Sequence, residues 1–158
     1  MIFVTVGLHN QQFDRLLKKV DELITENKIK ENVIMQTGSS NYKPKNAKWF
    51  KFSDFKSIEK LNKKASLIIS HGGAGCIITA LSYNKPIIAV PRLKKFGEHV
   101  NDHQLELVSE LEKQKYVTAV YDVKNLEEAI EITRNKKHKR VKNKKIFQII
   151  ENYLDKIK

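Results

Sequence analysis

The feature that most constrains this chain is a regular alternation between short apolar runs and segments with helical periodicity. Continuous apolar runs of four or five residues are typical of buried strands, whereas apolar residues spaced three and four apart are typical of helices. The predicted strands cover residues 2–6, 32–36, 49–52, 66–70, 86–90 and 116–120. The predicted helices begin near Phe13, Ile58, Ile77, Asn101 and Leu126, and a last helix covers about residues 140–157.

Strands that alternate with helices in this way form right-handed βαβ units and a mostly parallel sheet with helices on both faces. No internal repeat and no linker rich in Pro, Gly or Ser divides the chain. Its 158 residues, of which 41% are hydrophobic, suit one domain with its own core. We therefore predict an α/β fold, a single doubly wound Rossmann-like domain over residues 1–158.

Cysteine content and hydropathy indicate in which cellular compartment the protein is expected. Cys76 is the single cysteine, which excludes an internal disulfide framework and any zinc site built from several cysteines. The apolar run at the N-terminus is too short for a signal peptide, and no stretch reaches the roughly 20 apolar residues that span a bilayer. These features predict a cytoplasmic protein.

Positive charge is concentrated in one segment, residues 134–145, which we call the basic segment. It holds eight of the Lys and Arg residues and no acid, in a chain whose net charge is +12. Such a cluster indicates contact with an anionic surface, either lipid or nucleic acid, and a solvated charged face is the alternative.

Three of the six glycines lie together in His71-Gly72-Gly73-Ala74-Gly75, between the fourth predicted strand and the next helix. Ligands of open parallel sheets bind outside the carboxyl ends of the strands. Glycines there let backbone N–H groups approach a phosphate, and the helix N-terminus adds the positive end of its dipole. The segment predicts a diphosphate site, and the alternative is a tight turn that needs glycine for its backbone angles. The absence of GxGxxG at the first strand and of GxxxxGK[ST] anywhere argues against a nicotinamide cofactor and a Walker-type NTPase.

Two further polar loops follow predicted strands and should meet the glycine segment at the same edge of the sheet. The first covers residues 7–11 and includes Gly7 and His9. The second, residues 92–104, contains three cations, two carboxylates, two histidines and a glutamine. Arg92 suits a diphosphate, polar residues at 101–104 suit sugar hydroxyls, and Asn101 or Asp102 can cap the following helix. A solvated charged loop with a helix cap is the alternative.

At these residues the chain resembles the C-terminal domain of glycosyltransferase family 28 in its split form. The resemblance extends from Met1 to about residue 120 and is carried by FVTVGLHNQQFDRLL, HGGAG and KPIIAVPRLKKFGEHVNDHQLEL. Split forms include the catalytic subunit of the two-part GlcNAc transferase of the dolichol pathway and bacterial exopolysaccharide subunits that work with a membrane-anchored partner.

The resemblance implies the C-terminal half of a GT-B fold, which binds a nucleoside-diphosphate sugar that is usually UDP-linked. A polyprenyl- or dolichyl-diphosphate-linked acceptor is then held largely by a membrane-anchored partner subunit, which recruits this chain to the cytoplasmic face of the membrane. The implied reaction is an inverting transfer in polysaccharide or glycan biosynthesis, without a metal or other cofactor.

The resemblance also assigns roles to individual positions. Gly72, Gly73, Ala74 and Gly75 would approach the diphosphate with His71 beside them. Asp102, His103 and Gln104 would contact the donor sugar, and Gly7 would face the interdomain cleft.

Thr79 stands where many relatives carry a glutamate that binds the ribose hydroxyls, so it is a predicted ribose contact with an altered nucleotide affinity. The candidates for the base that deprotonates the acceptor hydroxyl are Glu98, His99 and His9, with a group on the partner as the alternative.

Other functions fit parts of the sequence. The basic segment would suit a nucleic-acid-binding module, although it lacks interleaved aromatic residues. A subunit that binds a nucleotide sugar without transferring it is a second alternative, and an epimerase, which would need a second domain in the same chain, is a third. Because a GT-B enzyme needs two Rossmann-like domains and 158 residues supply one, we expect a partner. The last helix either contacts that partner or packs on its own domain.

Overall fold

All six predicted strands form, and they join into one sheet in which every neighbouring pair is parallel. The computed structural model describes residues 1–136 and 144–156. The strands are β1 (Ile2–Thr5), β2 (Val33–Gln36), β3 (Lys48–Phe50), β4 (Leu67–His71), β5 (Ile87–Val90) and β6 (Thr118–Ala119). Their order in the sheet is β3-β2-β1-β4-β5-β6.

The helices that connect these strands cover both faces of the sheet. They are α1 (Asp14–Thr25), α2 (Phe55–Lys64), α3 (Ala74–Ser82), α4 (His103–Lys113), α5 (Leu126–Asn135) and α6 (Lys144–Lys156). Apolar residues of α1 and α5 form one core cluster with side chains from one face of the sheet. Residues of α3, α4 and α6 form a second cluster with side chains from the other face. This two-layer covering confirms the predicted doubly wound α/β fold.

The central strands match their predicted extents more closely than the edge strands do. β1 and β4 are fully buried along their length, because each has a neighbour on both sides and helices above and below. β3 ends at Phe50 rather than at residue 52, and β6 has two residues instead of the predicted five. An edge strand has a partner on one side, so fewer of its backbone groups join the ladder.

The last helix packs on its own domain. Ile146 and Ile150 are each 2% exposed and belong to the same core cluster as Leu107 and Val108 of α4. Of the two predicted alternatives for this helix, the structure therefore has self-packing. Residues 137–143, which form most of the basic segment, lie outside the described residues.

Within residues 1–136 and 144–156, no helix is long and apolar enough to cross a bilayer.

The strand order changes direction between β1 and β4. From β1 the chain proceeds to β2 and β3 on one side, and from β4 it proceeds to β5 and β6 on the other. The loops that leave the carboxyl ends of β1 and β4 consequently diverge and leave a crevice between them. Ligands of doubly wound folds bind at such a crevice.

Candidate functional site

A cleft of about 480 Å³ lies at the carboxyl ends of β1 and β4. Of the predicted site residues, Gly7, His71, Gly73, Gly75 and Thr79 line it. Sequence reasoning missed a second group of lining residues, which come from the ends of β1 and β2 and from α2 and the loop before it: Leu8, Gln36, Ser53, Phe55, Ile58 and Asn62. The order of elements in the sequence could have indicated the α2 side of the cleft. Because α2 follows the parallel strand β3, it must begin at the carboxyl edge of the sheet, where the cleft lies.

His71, the last residue of β4, is held between two glycines. A methyl group on Gly73 would lie 2.2 Å from His71 Nε2, and one on Gly7 would lie 2.4 Å from Cε1. Gly7 also has φ +71°, a conformation that favours glycine. The imidazole thus occupies space that any side chain at these two positions would fill, so both glycines are needed for its placement.

His71 is uncharged at neutral pH. Burial, and then the positive charge of Arg92, lower the pKa of the imidazole to about 3. The residue is 7% exposed, and its Nδ1 is buried without a hydrogen bond of normal geometry to any described residue. A neutral imidazole offers one donor and one acceptor. The Thr5 backbone acts on the ring as a hydrogen-bond partner and opposes part of this lowering of the pKa. His71 lines the cleft as a neutral imidazole.

The N-terminus of α3 opens at the same place. Its N-cap residue is Gly73, which has no side chain, and the backbone N–H of Ile77 is the one that bonds the Gly73 carbonyl. The N–H groups of the three residues before Ile77 have no acceptor inside the helix. Together with the helix dipole they form an uncapped anion-binding end.

Two other side chains of α3 face the cleft. Thr79 donates its hydroxyl hydrogen to the Gly75 carbonyl at 2.8 Å, which leaves the Thr79 oxygen as an acceptor. Burial raises the pKa of the Cys76 thiol, so Cys76 stays protonated at neutral pH.

The glycine segment meets the predicted 92–104 segment at Gln104, which the structure places on α4. A methyl group on Gly72 would lie 2.8 Å from Val108 and 3.0 Å from the Cβ of Gln104, both on α4. Gln104 is buried, and its side-chain oxygen accepts a hydrogen bond from the Arg92 backbone N–H at 3.0 Å. The predicted convergence of the loops at one sheet edge is confirmed.

Two of the predicted site residues are buried beneath the loops. Arg92 has no exposed surface, and its guanidinium donates to four backbone carbonyls. Glu98 is also fully buried, and its two oxygens accept from Arg15 at 2.9 Å each. In this arrangement Arg92 has no surface with which to touch a ligand, and Glu98 has no free oxygen with which to act as the base. The cause lies in contacts between distant loops, which no local pattern records.

His9 and His99 stack on each other and join the first loop to the second. Their ring centroids are 4.5 Å apart with 30° between the planes. Each Nδ1 accepts a backbone N–H from two residues further along, that of Gln11 for His9 and that of Asn101 for His99, both at 3.3 Å. Burial is the main reason that the pKa of each ring is lowered. A neutral ring whose Nδ1 accepts carries its proton on Nε2, so Nε2 is the donor of each ring.

The end of the second loop is ordered by local hydrogen bonds. Asp102 lies at the N-cap position of α4 but its carboxylate accepts from the Lys94 N–H at 2.9 Å instead of capping the helix. Asn101 accepts from the His103 N–H at 3.2 Å and takes the capping role. His103 is partly exposed, with Nδ1 3.9 Å from a carboxylate oxygen of Glu106.

The described part of the chain has no group of three or more His, Cys, Asp or Glu side chains placed to hold a metal ion.

The profile of the glycosyltransferase family 28 C-terminal domain matches residues 1–155. The chain belongs to this family.

Relatives of known function include the UDP-N-acetylglucosamine transferase subunit ALG13 of Candida albicans, which is 36% identical over 92 residues, 58% of this chain and 30% of that protein. The human subunit of the same name is 31% identical over 125 residues, covering 73% of this chain and 10% of that protein. The chain thus spans less than a third of the length of these curated relatives.

Solved structures share the fold at low sequence identity. The NMR solution structure of ALG13 has a TM-score of 0.63 and 19% identity, over 99% of this chain and 96% of that one. The UDP-GlcNAc 2-epimerase of Methanocaldococcus jannaschii, in complex with UDP-GlcNAc and UDP, has a TM-score of 0.60 and 22% identity, over 98% and 45%. MurG of Acinetobacter baumannii has a TM-score of 0.58 and 15% identity, over 94% and 49%.

Proposed function

We propose that this chain is the donor-binding subunit of a glycosyltransferase that transfers a sugar from a UDP-sugar to an acceptor held by a separate subunit. The observation that carries the proposal is the uncapped N-terminus of α3, which opens into the cleft beside the neutral His71. Family membership and the likeness to ALG13 subunits favour UDP-GlcNAc as the donor.

The diphosphate binds at the N-terminus of α3. Free N–H groups of the first helical turn and the helix dipole both favour an anion there. The neutral imidazole of His71 can donate one hydrogen bond to a phosphate oxygen without the desolvation that a charged side chain would require. Gly73 and Gly75 allow the ligand to approach the backbone closely.

The nucleoside binds on the α2 side of the cleft. Phe55 and Ile58 supply apolar surface for the flat faces of a base, and Phe55 is 71% exposed, as a stacking residue would be before its ligand binds. Asn62 and Gln36 supply polar groups for the base edge. Thr79, with its free hydroxyl lone pair, is the predicted ribose contact.

The sugar then lies toward the β5–α4 loop, near Asp102 and His103. In an inverting transfer the acceptor oxygen bonds to the anomeric carbon while the bond from that carbon to the diphosphate oxygen breaks. The helix dipole and N–H groups stabilise the charge that develops on the departing nucleoside diphosphate. His9, His99 or a group of the partner takes the proton of the acceptor hydroxyl, and either imidazole must first release its Nδ1 contact or change tautomer.

The acceptor is held, in this proposal, by a second subunit. A membrane-anchored subunit holds a polyprenyl- or dolichyl-diphosphate-linked acceptor and brings this chain to the cytoplasmic face of the membrane. The basic segment assists through anionic lipid, at roughly 1 kcal/mol per cation near the surface. Transfer needs no metal, so a chelator should leave the rate of the two-subunit enzyme unchanged.

Calorimetric titration with UDP, UDP-GlcNAc, GDP and UMP tests donor binding. We expect UDP and UDP-GlcNAc to bind, and UMP and GDP to bind at least about tenfold more weakly, a difference of 1.4 kcal/mol. Gly73→Ala should abolish UDP binding, because the new methyl group displaces His71.

Gly75→Ala is the matched control for folding, since a methyl group there meets nothing within 4 Å. It should melt no lower than the wild-type protein. A wild-type chain that gives no heat with UDP or any UDP-sugar contradicts the proposed function, as does a folded Gly73→Ala variant with wild-type affinity.

A further inference from the structure

Arg92 sits directly behind the cleft and is one of the least exposed residues of the protein. It follows β5, has 0% exposure, and lies 4.9 Å from the centroid of the Phe13 ring. Its Nη1 donates to the carbonyls of Gln11, Gln12 and Glu98, and its Nη2 donates to that of Val6, at 2.8–3.0 Å.

The four guanidinium bonds connect two of the three loops of the site. Val6 immediately precedes Gly7, and Gln11 lies in the same loop, so one guanidinium fixes both ends of the β1–α1 turn. Glu98 belongs to the β5–α4 loop. The glycine segment is reached through Gln104, which accepts from the Arg92 backbone N–H and packs against Gly72.

The charge of Arg92 is not balanced locally. Glu98 is the nearest carboxylate in the hydrogen-bond network, and it is already paired with Arg15 through both oxygens. Two guanidinium groups against one carboxylate leave one net positive charge. Across the described residues, no carboxylate forms an ion pair with Arg92 itself. Burial lowers the pKa of Arg92 to about 10, so it remains a cation at neutral pH.

We propose that Arg92 is a positioning residue of the donor site, whose side chain holds the β1–α1 and β5–α4 loops together and places an unbalanced positive charge behind the cleft without touching the ligand. The inference rests on the proposed function, because it assumes that the ligand is anionic. A buried charge close to a cleft attracts an anion more strongly than an exposed one does, since solvent screens it less.

The surrounding side chains respond to this charge. Arg92 contributes to lowering the pKa of His71, of His9 and of His99, after burial in each case. Besides Arg92, His99 lowers the pKa of His9, and His103 lowers the pKa of His99. Hydrogen bonds with Asn101 raise the pKa of His99. The pKa of each of these imidazoles therefore depends on the charge of Arg92, and this dependence can be measured in the protein without ligand.

The test compares Arg92→Met, which removes the charge, with Arg92→Lys, which keeps the charge but cannot reach four carbonyls. NMR titration of the imidazole signals of His9 and His99 gives their pKa values in both variants without ligand. We expect both pKa values to rise in Arg92→Met and to stay near wild type in Arg92→Lys. UDP affinity should fall in both variants, on the order of tenfold or more in Arg92→Met and less in Arg92→Lys.

A structural role alone would weaken UDP binding equally in the two variants and leave their histidine titrations alike, and that result overturns the inference. So does wild-type UDP affinity in a folded Arg92→Met protein. If Arg92→Met does not fold, Arg92→Gln takes its place, because it also removes the charge and keeps hydrogen-bond donors for the carbonyls. The pKa of His99 should again rise, and an unchanged value in folded Arg92→Gln contradicts the inference.

The two proposals fail separately. A wild-type chain that does not bind UDP refutes the proposed function, whereas the histidine titrations measure the effect of Arg92 in the unliganded protein.

Discussion

The imidazole of His71 lies between two glycines and near a buried guanidinium, and these surroundings disfavour its protonation. An unfolded chain leaves the same ring in water, where its pKa is about 6.5. Below that pH the unfolded state binds a proton that the folded state excludes. The free energy of unfolding therefore falls as the pH drops from about 6.5 toward 3, and above 6.5 this residue adds no pH dependence.

Replacing His71 by glutamine, which does not titrate, isolates that effect. Between pH 6.5 and 4.5 the wild-type protein should lose about 2 kcal/mol more stability than His71→Gln, since one pKa unit corresponds to about 1.4 kcal/mol. Urea unfolding at a series of pH values measures both slopes. Carboxylates and the other histidines titrate in both proteins, so their contributions cancel. If the unfolding free energies of the two proteins had the same pH dependence, the His71 ring would be protonated as readily in the folded state as in the unfolded state.

At the scale of elements, Asp21 on α1 organises the long connection between β2 and β3. It is 2% exposed and accepts hydrogen bonds from the Tyr42 hydroxyl at 2.6 Å and from the backbone N–H groups of Lys45 and Asn46 at 2.8 and 2.9 Å. Burial alone would raise the pKa of Asp21, but these bonds hold it below its usual value. The same contact raises the pKa of Tyr42 to about 12.

Asp21→Ala should therefore cost about 2–4 kcal/mol of unfolding free energy, because it removes the charged acceptor that several half-buried hydrogen bonds share. Tyr42→Phe is the matched control. It removes one of the bonds and should cost about 1 kcal/mol. Chemical denaturation of the two variants measures both values. Equal losses would show that the tyrosine contact, and not the backbone contacts, carries the stabilisation.

How far the sequence predicts this molecule depends on the range of the contacts involved. The central strands and the glycine segment follow from local patterns, because a buried apolar run and a strand-to-helix turn have distinctive compositions. The edge strand β6 is shorter than its apolar run, because it has one neighbour. The predicted diphosphate and base roles of Arg92 and Glu98 came from residue type alone. Their burial depends on Arg15 and on the Gln11 and Gln12 carbonyls, about 80 positions away in sequence.

At the scale of the whole molecule, the cleft and the start of the basic segment lie at opposite ends of the sheet. The cleft is at the carboxyl ends of β1 and β4. Arg134, the first residue of the basic segment, pairs with Glu31, which precedes β2 and also binds the N-terminal amine of Met1. Those residues mark the amino ends of the strands. A ligand in the cleft and an anionic surface near Arg134 would therefore not compete for the same space.

The placement of α6 decides which of its side chains are free for a partner. Ile150 is 2% exposed in the core cluster shared with α4, whereas the neighbouring face carries Phe147 with 52% of its surface exposed. Ile150→Ala should therefore lower the free energy of unfolding by about 2–4 kcal/mol, because it opens a cavity in a packed core. Phe147→Ala should change it by less than about 0.5 kcal/mol.

Thermal and urea unfolding of the two variants measure this difference. If α6 were an arm that extends away from the domain to reach a partner, both substitutions would leave the unfolding of the isolated chain unchanged. A large loss confined to Ile150→Ala means that the helix is part of this domain before any partner binds, and that contact with a partner must use the exposed face around Phe147 or another surface.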